Sequence, residues 1–377
     1  MNIFDSIFYI KLGIIMKILN LIEKIPDPRE INRIQHPLPS ILFITLCAAL
    51  CKAESWHDVQ LYGECKYDWL KKYISLPNGI PSQWTFRKVF TLLPPKVLET
   101  LLIEHASSIV KEKEDQIAVD GKALKGTKDK NSKILQSVSA WSTKNDVVLA
   151  ETAVDKKSNE ITAIPELIKL LELNGCTVTI DAMGCQKAIV KQIIDNDADY
   201  VLGLKKNHPK LYKSVSEYMQ SNAINKDHCL SDGFDHSHGR LTRRRYFSID
   251  SSNVLETNDW ESLNSLIAVE TITSSANKNV TAEWRYYISS HNYNNGKIPE
   301  YVRGHWGIEN KLHWVLDVNL GEDADKKIER NSAKAFGVLK RIALNIVRTK
   351  DSGSKGSLRG KLKKAGWDNE YLIKLLK

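Results

Sequence analysis

The chain has 377 residues, of which 42% are apolar and 26% are charged. This composition excludes fibrous and wholly disordered proteins and is typical of a globular protein of two or three domains. Its 54 lysines and arginines outnumber its 45 aspartates and glutamates. The net charge of +9 favours a polyanionic partner such as nucleic acid, although many basic proteins have no such partner.

The N-terminal residues show no complete targeting signal. Residues 1–15 are largely apolar, but Asp5 and Lys11 interrupt the run and no small-residue cleavage site follows, which argues against a signal peptide or a membrane span. Met16 is a second candidate start, in which case residues 1–15 are an upstream extension. The six cysteines form no CxxC pair, so a zinc ribbon or a redox dithiol is not indicated.

Residues 16–110 have the apolar spacing of helices. Residues 38–53 are almost all apolar, which predicts a helix buried on most sides. Ser82, followed by residues 84–90, predicts a short capped helix with a basic edge. We expect a helical N-terminal domain that binds DNA, and a purely structural docking domain is the alternative.

The pattern becomes rich in β-formers at Gln116. Strands are predicted at 116–120, 134–141, 147–154, 176–181 and 199–204, with helices at about 159–173 and 184–195. The first three strands indicate an antiparallel meander, and the β-α-β-α-β succession after them requires parallel pairing. We therefore predict an α/β domain at residues 111–349 with the strand order of the ribonuclease-H-like fold.

Further strands interrupt this domain. After a helix at 209–220, runs at 243–250, 265–271 and 283–289 predict a β-strand insertion at about 222–298. Helical spacing resumes near residue 299, runs to 315 and returns at 332–349. Residues 350–377 are rich in lysine and glycine, and we expect them to form a mobile basic tail.

Two carboxylates follow predicted strands of the α/β domain. Asp120 ends the first strand and Asp181 ends the strand at 176–181. Either aspartate alone is more simply explained as a cap for the next turn. The fold order places the two strands side by side, however, and strand ends of open α/β sheets form the crevice where ligands bind.

A third carboxylate, Glu309, lies in a predicted helix with His305 four residues before it and His313 four residues after it. The three side chains share one face, but a span of about 12 Å along the axis is too long for them to bind a single zinc ion. Two hypotheses remain. The face is simply solvated, or Glu309 joins Asp120 and Asp181 in a metal site while both histidines and Arg303 lie near a phosphodiester.

Three convergent carboxylates suit divalent metal chemistry. Without a cation they would repel each other and take up protons. Two Mg²⁺ ions about 3.5–4 Å apart would remove this penalty and serve phosphoryl transfer, one at the attacking oxygen and the other at the leaving oxygen. Oxygen ligands suit Mg²⁺ or Mn²⁺.

Several motifs match one known family in one order along nearly the whole chain. They are IPDPR at 25–29, LPNGIPS at 76–82, VDGK at 119–122, TIDAMGCQ at 179–186, GLKKNHP at 203–209, HGR at 238–240, RGHWGIEN at 303–310 and LHW at 312–314. With these motifs the sequence resembles the Asp-Asp-Glu (DDE) transposases of bacterial insertion sequences, specifically the H-repeat-associated type.

The resemblance implies that Asp120, Asp181 and Glu309 are the catalytic triad and bind two Mg²⁺ ions, which Mn²⁺ can replace. It also implies a β-strand insertion between the second and third acids. Two positions depart from related transposases. His305 stands where they have an arginine four residues before the glutamate, and Thr242 stands where a glutamate is expected after the HGR motif.

Basic side chains near these motifs are the candidates for DNA contact. They are Lys122, Lys125, Lys205, Lys206, His238, Arg240, Arg243, Arg244, Arg303, His305 and His313. A solvated turn is the alternative for the lysines after Asp120, and plain loop polarity is the alternative for those at 205 and 206. Alternation along a strand should expose about half of the arginines at 240–245 to phosphate.

We therefore predict a bacterial DNA transposase that frees a 3′-hydroxyl at the element end and joins it to target DNA. Its predicted partner is double-stranded DNA, with a homodimer in the paired-end complex, and its location is cytoplasmic and nucleoid-associated. Two alternatives remain. One is a non-catalytic DNA-binding descendant of a transposase, and the other is a ribonuclease-H-like nuclease without strand transfer.

Overall fold

The computed structural model describes residues 17–127, 134–154, 160–221, 223–237, 239–255, 259–275, 278–324, 329–353 and 355–377. The proposed upstream extension and the alternative start at Met16 lie outside these residues. Within the described ranges, no helix combines the length and the apolar character that crossing a membrane requires.

The N-terminal part is helical, as predicted. Its helices are Lys17–Glu23, Leu38–Leu50, Trp56–Cys65, Tyr67–Leu70, Gln83–Leu92 and Pro95–Ile109. Ser55 caps the third helix in a capping box with Asp58, and Ser82 caps the fifth through Thr85. Helix Leu38–Leu50 is buried on nearly every side, as its apolar sequence predicts.

A nine-stranded sheet forms the centre of the molecule. Its strands are β1 (Gln116–Leu124), β2 (Leu135–Ser142), β3 (Val147–Val154), β4 (Thr177–Ile180), β5 (Asp199–Leu204), β6 (Cys229–Ser237), β7 (Arg240–Asp250), β8 (Ser265–Ser275) and β9 (Lys278–Ser289), in the order β3-β2-β1-β4-β5-β9-β8-β7-β6. Helices Glu160–Ile168, Lys187–Asp195 and Pro209–Met219 connect or follow the parallel strands.

The ribonuclease-H-like order is confirmed. Strands β1 to β3 form an antiparallel meander, and β1, β4 and β5 pair in parallel. The inserted strands extend the same sheet, because β9 pairs antiparallel with β5. The sequence did not predict β6, whose residues CLSDGFDHS contain no β-branched side chain, and it predicted β7 and β9 too short at their polar ends.

Six helical segments follow the sheet. They are Ile298–His305, the π-helix Ile308–His313, Trp314–Leu320, Arg330–Lys350, Leu358–Trp367 and Asn369–Leu376. Helix Arg330–Lys350 is buried along most of its length and packs against Pro95–Ile109 and Leu38–Leu50. One hydrophobic core therefore joins N-terminal helices, C-terminal helices and one face of the sheet, including Trp141. The domain division near residue 110 stays a prediction.

The expectation of a mobile tail is wrong. Residues 358–376 form two helices, and Leu362, Leu372 and Leu376 are buried in the shared core. Within these helices Lys363, Lys364 and Lys374 are exposed, whereas Lys361 is largely buried and pairs with Asp351. A lysine can lie at the edge of a helix with its carbon chain against the protein and its ammonium group in water. The high charge of residues 350–377 therefore hid the apolar residues that pack into the core.

Candidate active site

Parallel pairing brings Asp120 and Asp181 to the same place in the sheet. Val119 pairs with Ile180, and each aspartate is the next residue in its chain. Strand β4 ends at Ile180, whereas β1 continues to Leu124. Asp120 therefore lies inside β1, beside the point at which β4 ends. Asp181 caps the short 3-10 helix that follows, accepting a hydrogen bond from the Met183 amide at 2.9 Å.

Glu309 comes to this place from the C-terminal helices. Together with Asp120 and Asp181 it lines a cavity of about 510 Å³ beside the end of β4. Glu309 lies in the π-helix, an irregularity that is frequent at functional sites. The π-helix packs closely on the sheet, since a Cβ atom at Gly307 would lie only 2.7 Å from the Trp141 ring.

The π-helix overturns the prediction that His305, Glu309 and His313 share one regular helical face. His305 and Glu309 line the cavity. His313 is only 7% exposed, and its Nδ1 lies 3.5 Å from Asp120 Oδ2. A π-helix has more residues per turn than an α-helix, so each residue after Glu309 is rotated less about the helix axis, and His313 does not lie above Glu309 as the i+4 spacing predicts.

Burial and electrostatic repulsion between the carboxylates both raise the pKa of Asp120. Burial raises the pKa of Asp120 to about 7, and the charges of Asp181, Glu160 and Glu309 raise it as well. A carboxyl group with this pKa is half protonated near neutral pH. The site therefore carries excess negative charge that a bound cation would neutralise.

The donor set fits hard divalent cations, because its oxygen ligands are carboxylates. In the described part of the chain, no three histidine, cysteine, aspartate or glutamate side chains are already arranged around a single ion position. The three acids line one cavity, so gathering them around an ion requires a rearrangement of their side chains.

Both histidines near the acids are neutral at physiological pH. Burial lowers the pKa of His305 to about 4 and that of His313 to about 3. His313 is also only 7% exposed, so the predicted contact of its side chain with DNA is wrong. His305 remains accessible from the cavity.

Lys122 is also not on the DNA path. Its side chain is 7% exposed, and Nζ donates hydrogen bonds to Asp317 Oδ1 at 2.5 Å and Glu322 Oε2 at 2.6 Å. Glu322 also binds the fully buried Arg341, which pairs with Glu151. Lys122 therefore belongs to a buried ion network that joins β1 to the C-terminal helices, which corrects the prediction that it binds DNA.

The other predicted DNA contacts occupy varied positions. Lys205 lines the cavity and Lys206 is exposed next to it. Lys125 is exposed and 3.4 Å from Asp323. Arg240 is exposed, and His238 lies outside the described residues.

Three predicted arginines already pair with carboxylates of β6. Arg243 binds Asp232 at 2.5 Å, while Arg244 and Arg303 lie 3.5 and 3.4 Å from Asp235. The side chains of Arg243, Arg244 and Arg303 are 38%, 32% and 64% exposed, so DNA phosphate could replace their partners.

Sequence reasoning missed two residues beside the site. Glu160 lies against Gly121, where a Cβ atom would meet its carboxyl carbon at 2.3 Å, and its charge acts on Asp120. Arg285 on β9 lines the cavity and stacks over the Trp306 ring at 4.4 Å. Each was isolated in the sequence, and only the fold brings it to the site.

The fold is ribonuclease-H-like, and comparison with known proteins identifies the family. Residues 111–346 match the family model described as "Transposase DDE domain", and residues 19–106 match the model described as "DDE_Tnp_1-associated". The chain belongs to the DDE transposase family, which confirms the resemblance drawn from the motifs. Members of this family generally use divalent metal ions.

Relatives in Escherichia coli match over almost their full length. The H repeat-associated protein YhhI is 36% identical over 374 residues, covering 96% of this chain and 97% of YhhI. The protein YbfL is 37% identical with the same coverage. Among solved structures, a piggyBac transposase in a synaptic complex with hairpin DNA aligns with 95% of this chain and 79% of that chain at 12% identity and a TM-score of 0.48.

Proposed function

We propose that this protein is an active transposase that cuts the ends of its insertion sequence and joins the freed 3′-hydroxyl to target DNA, with Asp120, Asp181 and Glu309 as its catalytic carboxylates. The observation that carries the proposal is their meeting in one cavity from three separate elements, β1, the end of β4 and the π-helix. Residues so far apart in the chain share a cavity only because the fold gathers them there.

The three carboxylates would hold two Mg²⁺ ions, or Mn²⁺ in their place. When bound, these ions supply positive charge at the attacking and leaving oxygens of an in-line phosphoryl transfer. Asp120 would bind a cation as the carboxylate. Its pKa is about 7 without a cation, and a bound cation would lower this pKa, so Asp120 would be ionised near neutral pH. The protein contributes positioning and a partly buried, acidic pocket.

DNA would enter over the exposed basic side chains around the cavity. We propose that backbone phosphates are contacted by Lys205, Lys206, Arg240, Arg243 and Arg303. Lys125, Arg244 and Arg285 would lie close to the same DNA. Such contacts fix the register of the duplex but do not read its sequence. The working form is proposed to be a homodimer, which holds two element ends, in the bacterial cytoplasm in association with the nucleoid.

The test is incubation of purified protein with Mg²⁺ and DNA carrying the element's terminal repeats. Joined products support the proposal, cleavage alone indicates a nuclease, and binding alone indicates a non-catalytic descendant. The variants Asp120→Asn, Asp181→Asn and Glu309→Gln should each abolish cleavage while DNA binding persists.

The control for these variants is Glu166→Gln, which changes an exposed carboxylate that pairs with the exposed Lys169. It should cleave like the wild type. Cleavage at wild-type rate by any of the three site variants would remove that residue from the catalytic triad.

A further inference from the structure

The loop after β5 holds the turn that follows Asp181. Asn207 Nδ2 donates a hydrogen bond to the Ala182 carbonyl at 2.8 Å. His208 Nε2 lies 2.7 Å from the Cys185 carbonyl, and it donates a proton there because a carbonyl oxygen only accepts. Two neighbouring side chains of one loop therefore hold both ends of the turn.

Close packing leaves this turn little space beside the sheet. A Cβ atom at Gly203 on β5 would lie 3.0 Å from the Ala182 backbone nitrogen, and one at Gly184 would lie 2.3 Å from the Ile180 side chain. Cys185 is fully buried, so its carbonyl needs a donor from the protein, and His208 supplies one. Packing places the turn against the sheet, and the two side-chain donors fix its carbonyls.

One peptide unit links Asn207 to the carboxylate of Asp181. The Ala182 carbonyl, which accepts from Asn207, and the Met183 N–H belong to the same planar peptide group. That N–H donates to Asp181 Oδ1 at 2.9 Å. Rotation of this peptide would therefore break both hydrogen bonds together, so the bond from Asn207 helps to keep the Met183 N–H directed at the carboxylate.

The inserted strands place the ring of His208. Its edge meets the face of Trp260, with ring centroids 5.0 Å apart and an interplanar angle of 78°. Trp260 is 8% exposed and lies in the connection between β7 and β8. His208 is thus held by a ring contact and by a hydrogen bond, and substitutions can separate the two.

We propose that Asn207 and His208 are positioning residues for Asp181, because they hold the turn at 182–185 in the one arrangement in which the Met183 N–H fixes an oxygen of the Asp181 carboxylate beside the cavity. Neither side chain needs to touch DNA or a cation for this role. The effect on metal binding rests on the proposed function, because it requires Asp181 to be a metal ligand.

The Met183 amide reports on the turn in the metal-free, full-length protein. The chain has four methionines, so ¹⁵N-methionine labelling gives few amide signals, and Met183→Leu assigns the signal from the turn. Asn207→Leu removes the donor at similar side-chain size. It should speed exchange of the Met183 amide with water by about 2–10-fold, the effect of one lost hydrogen bond.

Asn196→Leu is the matched control. Asn196 Nδ2 also donates to a backbone carbonyl, that of Gln192 at 2.7 Å, but at the far end of helix Lys187–Asp195. The variant loses the same kind of hydrogen bond and should leave Met183 exchange unchanged.

Two variants separate the hydrogen bond of His208 from its ring contact. His208→Phe keeps a ring against Trp260 but has no donor, and its Met183 amide should exchange about as fast as in Asn207→Leu. His208→Gln loses the ring but keeps an N–H near the position of Nε2, and it should exchange like the wild type. Wild-type exchange in both Asn207→Leu and His208→Phe, or equally fast exchange in His208→Gln and His208→Phe, would overturn the proposal.

Mn²⁺ affinity, measured from the electron paramagnetic resonance signal of the free ion, tests the consequence for metal binding. Loss of a partner that orients a metal ligand costs about 10–100-fold in affinity. Asn207→Leu and His208→Phe should lose about this factor, whereas His208→Gln and Asn196→Leu should bind like the wild type. If Met183 exchanges faster in the first two variants while their Mn²⁺ affinity is unchanged, Asp181 is not a metal ligand. The proposed function then fails, and the positioning of the carboxylate by Asn207 and His208 stands.

Discussion

Replacing Asp120 with asparagine should stabilise the metal-free protein at alkaline pH. The pKa of this carboxyl is about 7 in the folded chain against a reference of 3.8. An acid with a raised pKa favours folding below pH 3.8, and this contribution is lost as pH rises to 7. At pH 8 the ionised group thus costs the folded state at most about 4 kcal/mol, which the neutral amide avoids.

The assay is urea unfolding with and without a chelator. Because the side chain of Asp120 is 27% exposed, solvent screening reduces the expected gain to about 2 kcal/mol at pH 8, with almost no difference at pH 4. Added Mg²⁺ should reverse the order: at a hundredfold excess over its dissociation constant it stabilises the wild type by about 2.7 kcal/mol. Asp120→Asn should gain little.

The control is again Glu166→Gln, whose exposed ion pair should contribute less than about 1 kcal/mol at any of these conditions. The electrostatic reasoning is refuted if Asp120→Asn is no more stable than the wild type at pH 8 in chelator. It is also refuted if the difference between the two proteins is the same at pH 4 and pH 8.

Three further predictions concern residues outside the acidic triad. Lys122→Met should cost about 3 kcal/mol in urea unfolding and leave the salt slope of DNA binding unchanged, because the buried Glu322 keeps only Arg341 as a partner and the partly buried Asp317 loses the lysine. The pKa of His105 is about 4 against 6.5 unfolded, so stability falls as pH drops through this window; His105→Leu should lose about 2 kcal/mol less than the wild type between pH 7 and 5. Gly307→Ala should cost about 1–3 kcal/mol by pushing the π-helix off Trp141, whereas Gly296→Ala, where a Cβ atom meets open space, should change little in the same melts.

Periodicity and turn signals predicted most of the fold. The strands at 147–154 and 199–204 were predicted at the bounds the structure has, because β-branched and apolar runs are decisive where a strand is buried on both faces. Strand β6 was missed for the opposite reason. It lies at the sheet edge, so its polar residues need no apolar alternation.

A local sequence pattern predicts structure least well where contacts between residues far apart in the chain determine a side chain's position. Lys122 looked like a surface lysine beside an acid, and only Glu322 and Asp317, some two hundred residues later, show that it is buried. The position of His313 depends on one extra residue per turn in the π-helix, which no spacing argument based on an α-helix can predict. Asp120, Asp181 and Glu309 were found because strand order and motif indicated them together.

Anomalous diffraction from Mn²⁺-soaked crystals of the protein with element-end DNA tests the proposed chemistry most directly. We expect two manganese peaks in the cavity, with Asp120, Asp181 and Glu309 supplying their protein ligands. A metal held elsewhere, or a DNA-bound cavity whose cations leave Glu309 uncoordinated, would contradict it.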